Sequence, residues 1–191
     1  MSYELVFDIE TQNTYQEVGA RDTRLLKISL VGVWSSADDC YTAFLEDELP
    51  RLWPLFEHAD RLIGYNSRWF DVPVLANYYP GDLARIPQLD ILEEVERHLG
   101  FRVKLDDLAQ ATLGIGKTGH GLQAVEYWRS GEIEKLKAYC LQDVRVTKGL
   151  YEFGRARGHV LYDDKLGRRQ EIPVNFAPKT SRAAMNLTIG L

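Results

Sequence analysis

Apolar residues recur along this chain in two periods, and the change from one to the other marks out its elements. Residues 3–10 and 25–34 are dense in branched and aromatic side chains and read as buried strands. Cys40–Leu45 reads as a shorter third strand, and the polar turn between Trp34 and Cys40 suits an antiparallel hairpin, so the three predict a meander. The period then lengthens. A helix is expected over residues 47–58, a strand over 61–65, and a helix over 69–79 that ends at Pro80-Gly81. Residues 88–95 read as a strand running into a helix, followed by helices at Leu105–Leu113, 121–130 and Ile133–Arg157. A second hairpin pairs 160–162 with 171–174 through a turn at 163–167, and the residues from 177 onward read as a tail. Strands first and helices later, without internal repeats, predict an α/β chain: one domain over residues 1–176 and a tail over 177–191.

Composition narrows this. With 191 residues and 45% hydrophobic content, the chain can bury one good core and has no room for a second catalytic module. Its apolar runs are short and interrupted, and the start, Met-Ser-Tyr-Glu, lacks the basic and apolar regions of a secretory signal. The expectation is a cytoplasmic protein without a membrane partner. Cys40 and Cys140 are too far apart for a metal knuckle or a redox motif, and both are expected to be reduced thiols packed as small hydrophobes.

The net charge of −5 argues at first against nucleic acid, because phosphate binding leaves a basic footprint. Its distribution changes that. From position 145 onward nine Lys/Arg face four Asp/Glu, which leaves 14 against 24 in the preceding residues. The acid is concentrated where bound divalent ions would reverse the local sign. An ordinary soluble enzyme can show the same acidic balance.

Three segments carry candidate chemistry. In a strand, residues two apart share a face, so Asp8 and Glu10 stand together while Phe7 and Ile9 pack opposite. The plain alternative is a solvated edge strand, but Leu5-Val6-Phe7 before the pair reads as core, and strand ends are where α/β sheets place ligands. In the second segment, 64–71, Asn66 ends a strand and Asp71 lies near the start of the following helix, in which Pro73 is at an early position. Alone, Asn66 or Ser67 would merely cap the helix and Asp71 would complement its dipole. In the third, Tyr139 and Asp143 are four apart on one helix face, so a phenol and a carboxylate can meet at one site. Four carboxylates with room for water are a typical protein share of the shell of a phosphodiester-cutting metal pair.

Phe7-Asp8-Ile9-Glu10-Thr11, the pattern G-Y-N-x-x-x-F-D-x-P-x-L from Gly64, and Y-C-x-x-D-V from Tyr139 occur in that order over residues 3 to about 153. Together they resemble the DEDD superfamily of 3′-to-5′ exonucleases, which have the ribonuclease H-like fold, and most of all the proofreading domain of family-B DNA polymerases and its stand-alone relatives. Tyr139 lies four before Asp143, where the histidine subgroup would need its residue at Ala138, so the chain resembles the tyrosine subgroup. The resemblance implies a mixed sheet with an antiparallel meander flanked by helices. It implies Asp8, Glu10, Asp71 and Asp143 as ligands of two Mg²⁺ or Mn²⁺ ions, Asp8 shared between them, and Tyr139 orienting or helping to deprotonate the attacking water. An all-oxygen set suits those ions, whereas Zn²⁺ usually takes His or Cys. Thr11, Asn66 and Phe70 match positions lining the terminal-nucleotide pocket, where a ring can stack on a base without reading it. The implied substrate is the 3′ end of single-stranded DNA or RNA, released as nucleoside 5′-monophosphates. The chain departs from many relatives in having Gln12 after Thr11 where they have glycine. It is also too short to include a polymerase, so it would act alone, with a protein partner or as a homo-oligomer.

Other readings compete. Residues 111–118 fit a relaxed phosphate-loop pattern, A-x-x-x-x-G-K-T, but the preceding Leu105-Asp106-Asp107-Leu108-Ala109 has helical spacing instead of a buried strand. A nuclease fold that only binds nucleic acid would be expected to lack one of the carboxylates, and all four are present. In the loop 114–121, Lys117 is a candidate phosphate contact. Arg155 and Arg157, then Lys165, Arg168 and Arg169 at the hairpin turn, are candidates to track a backbone into the acidic site.

Overall fold

The computed structural model describes residues 3–116 and 122–177. Its framework is a five-stranded sheet in the order β3-β2-β1-β4-β5. β1 (Glu4–Thr11) lies at the centre, antiparallel to β2 (Ile28–Ser35), which is antiparallel to β3 (Cys40–Leu45). β4 (Arg61–Gly64) runs parallel to β1, and β5 (Gln88–Asp90) parallel to β4. This is the expected meander with parallel additions at its other side. Alternation along β1 sends Leu5, Phe7 and Ile9 into one core and Val6 into another.

Helices cover both faces. After the four-residue α1 (Tyr15–Val18), α2 (Trp53–His58) and α3 (Asp71–Leu75) supply Trp53, Phe56, Val74 and Leu75 to the Phe7 side. On the other face lie α4 (Ile91–Leu99), α5 (Leu105–Leu113), α6 (Leu122–Arg129) and the 25-residue α7 (Ile133–Arg157), with Val95, Leu108, Val144 and Leu150 around Val6. A hairpin of β6 (His159–Asp163) and β7 (Arg169–Pro173) follows. It is tied to α5 by Thr112, whose hydroxyl donates to the Leu161 carbonyl and accepts from the Leu161 N–H. Buried Arg61 holds the last described turn by donating to the Phe176 and Ala177 carbonyls while pairing with Glu4 at 2.7 Å.

Several elements differ from expectation for local reasons. Pro50 and Pro54 divide the helix expected at 47–58 into a 3-10 turn, Glu46–Arg51, and the short α2. The strand expected from Leu25 begins at Ile28, because the Asp22 side chain caps a 3-10 turn over Thr23–Leu25. The helix expected from residue 69 starts at Asp71 and ends at Leu75. Cys140 is buried as expected, but Cys40 is exposed: it opens the edge strand β3, on the same face as buried Phe44 but at the uncovered end of the strand.

Candidate active site

Asp8 and Glu10 stand on the α7 side of β1, where a close approach of helix to sheet is possible because β2 has Gly32 opposite Asp8. A Cβ at position 32 would lie 2.8 Å from the Cys140 sulfur. With α7 seated this low, Tyr139 and Asp143, one turn apart, reach the same cleft. The second segment arrives from the end of β4. Gly64 permits the turn, since a Cβ there would meet the Ser67 Cβ at 2.5 Å, and Asn66 takes a left-handed φ of 61° that asparagine tolerates better than most residues. The turn delivers Asp71 under β1, where its Oδ1 accepts from the Ile9 N–H at 3.2 Å.

Asp8, Glu10, Asn66, Phe70, Asp71, Tyr139 and Asp143 thus line one open cleft of about 460 Å³. Seven expected site residues come together. Thr11, expected in the terminal-nucleotide pocket, is not among the residues lining the cleft; its hydroxyl donates to the Asn13 carbonyl at 2.8 Å. Lys117 and residues 117–118 of the phosphate-loop pattern fall outside the described residues. Arg168 and Arg169 sit on the hairpin, paired with Asp164 at 2.8 Å and Asp163 at 2.9 Å, respectively.

The electrostatics are those of crowded acids. Burial pushes the Asp8 carboxyl well above the usual carboxylate range, and the charges of Asp71, Glu10 and Asp143 add to it, against a weak thiol contact from Cys140. Burial, then Asp143 and Asp71, do the same to Glu10. Asp71 is pushed up to about 7, chiefly by burial, although its own N–H and that of Ile9 oppose the shift. Such a set is costly without a cation and favourable with one. Ligand atoms of Asp8, Glu10 and Cys140 lie within 4.8 Å of one another. Burial and the neighbouring acids push the Cys140 thiol up, so it is a packed neutral group, and the donors suited to a hard divalent ion are the carboxylates. Burial followed by Asp143, Glu10 and Asp8 raises Tyr139 as well, so its phenol keeps its proton.

Further residues without a motif shape the site. Asp90, buried at the end of β5, accepts from the Asn66 N–H at 2.8 Å and the Arg68 N–H at 3.0 Å while capping α4 through Leu92. It therefore fixes the 64–71 turn. Arg102 and Lys104, in the connection between α4 and α5, bring two cations to the rim of the acidic cleft. Arg102 hydrogen-bonds the Asn66 side chain and pairs with Glu96; Lys104 forms no ion pair among the described residues. Their only sequence signal was a pair of cations beside an apolar valine.

A five-stranded sheet with carboxylates gathered from the end of β1, the start of α3 and the middle of α7 defines an α/β fold of the ribonuclease H-like type. A model of the RNase_H superfamily matches residues 5–153, and the chain belongs to that superfamily. Among solved structures, it is similar to the family B DNA polymerase of the hyperthermophilic archaeon Pyrobaculum calidifontis, with a TM-score of 0.63 and 23% identity over 81% of this chain and 24% of the polymerase. It is also similar to E. coli ExoI in a zinc-bound complex with single-stranded DNA, with a TM-score of 0.51 and 15% identity over 82% of this chain and 41% of that one. The chain thus spans well under half of either structure, and both likenesses are of fold. No curated protein matches. No helix among the described residues is long and apolar enough to cross a membrane.

Proposed function

We propose that this protein is a metal-dependent 3′-to-5′ exonuclease acting on single-stranded DNA or RNA and releasing nucleoside 5′-monophosphates. The observation that carries the reading is the convergence of Asp8, Glu10, Asp71, Asp143 and Tyr139 in one open cleft, where burial and the charges of Asp71 and Asp143 raise the carboxyls of Asp8 and Glu10. Asp8, Glu10, Asp71 and Asp143 would hold two Mg²⁺ or Mn²⁺ ions, which when bound supply an activated water, a hold on the scissile phosphate and charge neutralisation at the leaving 3′ oxygen.

The chain's own residues do the rest. Tyr139, its phenol held neutral, donates a hydrogen bond and orients the attacking water; the raised pKa favours this role over that of base. Phe70 stands edge-on to Tyr15 at 6.0 Å and, with Leu92 and Tyr65, gives the terminal base an apolar seat. Arg102 and Lys104 offer charge to phosphate at the rim. The similarity to ExoI, solved with single-stranded DNA, adds support for a single-stranded substrate.

The test is digestion of 5′-labelled single-stranded DNA and RNA with Mg²⁺, Mn²⁺ or a chelator, comparing wild type with Asp8→Ala and Asp143→Ala. The expected result is a metal-dependent ladder shortening from the 3′ end and absent in both variants. Binding without cleavage under either metal would favour a binding module of the same fold instead.

A further inference from the structure

Besides the acidic cleft, the surface carries a second groove of about 550 Å³ between the end of α4 and the β6–β7 hairpin. Its apolar lining is unusually exposed: Phe101 is 47% exposed and Leu166 76%, and the Phe101 ring meets Tyr162 edge-on at 5.8 Å. Exposed apolar groups gathered in a groove with polar rims mark interaction sites. The rim here is cationic on balance. Arg168 is neutralised by Asp164, but Lys165 forms no ion pair among the described residues.

The groove adjoins the acidic cleft in sequence. Phe101 lines the groove, and Arg102, Val103 and Lys104, the next three residues, line the cleft. Three residues span at most about 11 Å. A polyanion whose end lies among the carboxylates and that leaves the cleft past Arg102 and Lys104 on the Phe101 side would meet an aromatic face and another cation. That sequence of features, a cation to hold phosphate and a ring to stack a base, is how proteins hold single strands without reading them.

We propose that the Phe101–Tyr162–Leu166 groove, with Lys165 on its rim, holds the bases of a single-stranded nucleic acid upstream of the 3′ end seated in the acidic cleft. The proposal rests on the exonuclease reading and adds a second subsite to it. It makes affinity a function of strand length: a dinucleotide fills only the cleft, whereas a strand of about twelve nucleotides, within the range single-strand grooves accommodate, also fills the groove.

The test uses the full chain, with Ca²⁺ to measure equilibrium binding of fluorescein-labelled strands by anisotropy and Mn²⁺ to measure turnover. Wild type, Phe101→Ala with Lys165→Ala, and Phe101→Tyr with Lys165 intact are compared on the dinucleotide and the longer strand. The double variant should bind the longer strand about tenfold or more weakly, the scale of losing one stacked base. Its dinucleotide binding and turnover should be unchanged, and Phe101→Tyr should retain wild-type affinity for both. Equal affinity of wild type and double variant for the longer strand overturns the proposal and leaves the groove to a protein partner. Absence of turnover in wild type, together with length-dependent binding lost in the double variant, overturns the exonuclease reading while sustaining the groove.

Discussion

Gly32 and Cys140 meet where α7 crosses the sheet, so closely that a Cβ on Gly32 would lie 2.8 Å from the thiol sulfur and 3.1 Å from a Val144 methyl. Gly32 pairs with Asp8 across the β1–β2 ladder, and the Cys140 sulfur lies 3.6 Å from the Asp8 carbonyl. One missing side chain on β2 therefore sets the height at which the helix presents Tyr139 and Asp143 to Asp8 and Glu10.

Gly32→Ala should accordingly push α7 outward. Overpacking of this kind costs about 1–3 kcal/mol, read as a lower urea midpoint at unchanged slope. Turnover should fall further than substrate affinity, because Tyr139 and Asp143 move together away from β1. A variant with wild-type stability and turnover would mean that the helix position does not depend on this contact.

The acidic cluster sets a pH dependence in the metal-free protein. A carboxyl whose pKa is higher folded than unfolded binds more protons in the folded state, so its stabilising contribution is full at low pH and lost as pH rises through the folded value. With Asp71 at about 7 against an unfolded value of about 3.9, and Asp8 and Glu10 also raised, metal-free stability from this cluster declines between about pH 4 and about pH 7. Thermal melts in chelator should show it, and added Mn²⁺ should raise Tm more at about pH 8 than at about pH 5. Asp71→Asn should raise the metal-free Tm at the higher pH while removing activity. A melting temperature that is independent of Mn²⁺ at both pH values would contradict a cation site.

Asp90 is a positioning residue. Asp90→Ala strands the Asn66 and Arg68 N–H groups and uncaps α4, each orphaned group costing about 1–3 kcal/mol. Asp90→Asn keeps one acceptor oxygen and should recover part of that loss. Because the turn carries Asn66, Phe70 and the proposed ligand Asp71, both variants should raise KM and lower the metal-dependent Tm gain, Asp90→Asn less than Asp90→Ala. A lower metal-free Tm with KM and the metal-dependent gain unchanged would indicate a general defect of folding.

Tyr139→Phe removes only the phenol oxygen from a half-buried side chain. Loss of a group that orients the reacting water typically costs about a hundredfold or more in turnover, with KM and metal affinity little changed. An equal fall at all pH values is expected, because the raised phenol pKa lies far above the working range. A pH profile whose basic limb disappears in Tyr139→Phe would instead identify the phenol as a titrating base.

Much of this site was legible because its chemistry is local. Strand alternation put Asp8 beside Glu10, and helical spacing put Tyr139 above Asp143, without reference to the rest of the chain. The start of α3 was not legible, because the 64–71 turn is held by Asp90 from another strand and by a left-handed Asn66. Nor were Arg102 and Lys104, which a connection between helices carries to the rim. The exposed Cys40 shows the same limit: its alternation in β3 was readable, but not that β3 would be an edge with no layer over that position.

Lys104 gives the sharpest test of the cationic rim. It is exposed, sits at the N-cap position of α5 without a side-chain cap hydrogen bond, and forms no ion pair among the described residues, so its removal should leave stability within about 0.5 kcal/mol of wild type. Arg102 differs, since it also holds Asn66 and Glu96, and Arg102→Ala should disturb the turn as well as the charge. If Lys104 contacts one phosphate of a single strand, Lys104→Ala should weaken binding and reduce the slope of log K against log salt by about 0.7. The loss should be the same for every base sequence, because a phosphate contact reads none. Binding measured from low to moderate salt decides it: an unchanged slope places the substrate backbone elsewhere, whereas a reduced slope with turnover preserved at saturating substrate assigns Lys104 to holding the strand and not to the chemical step.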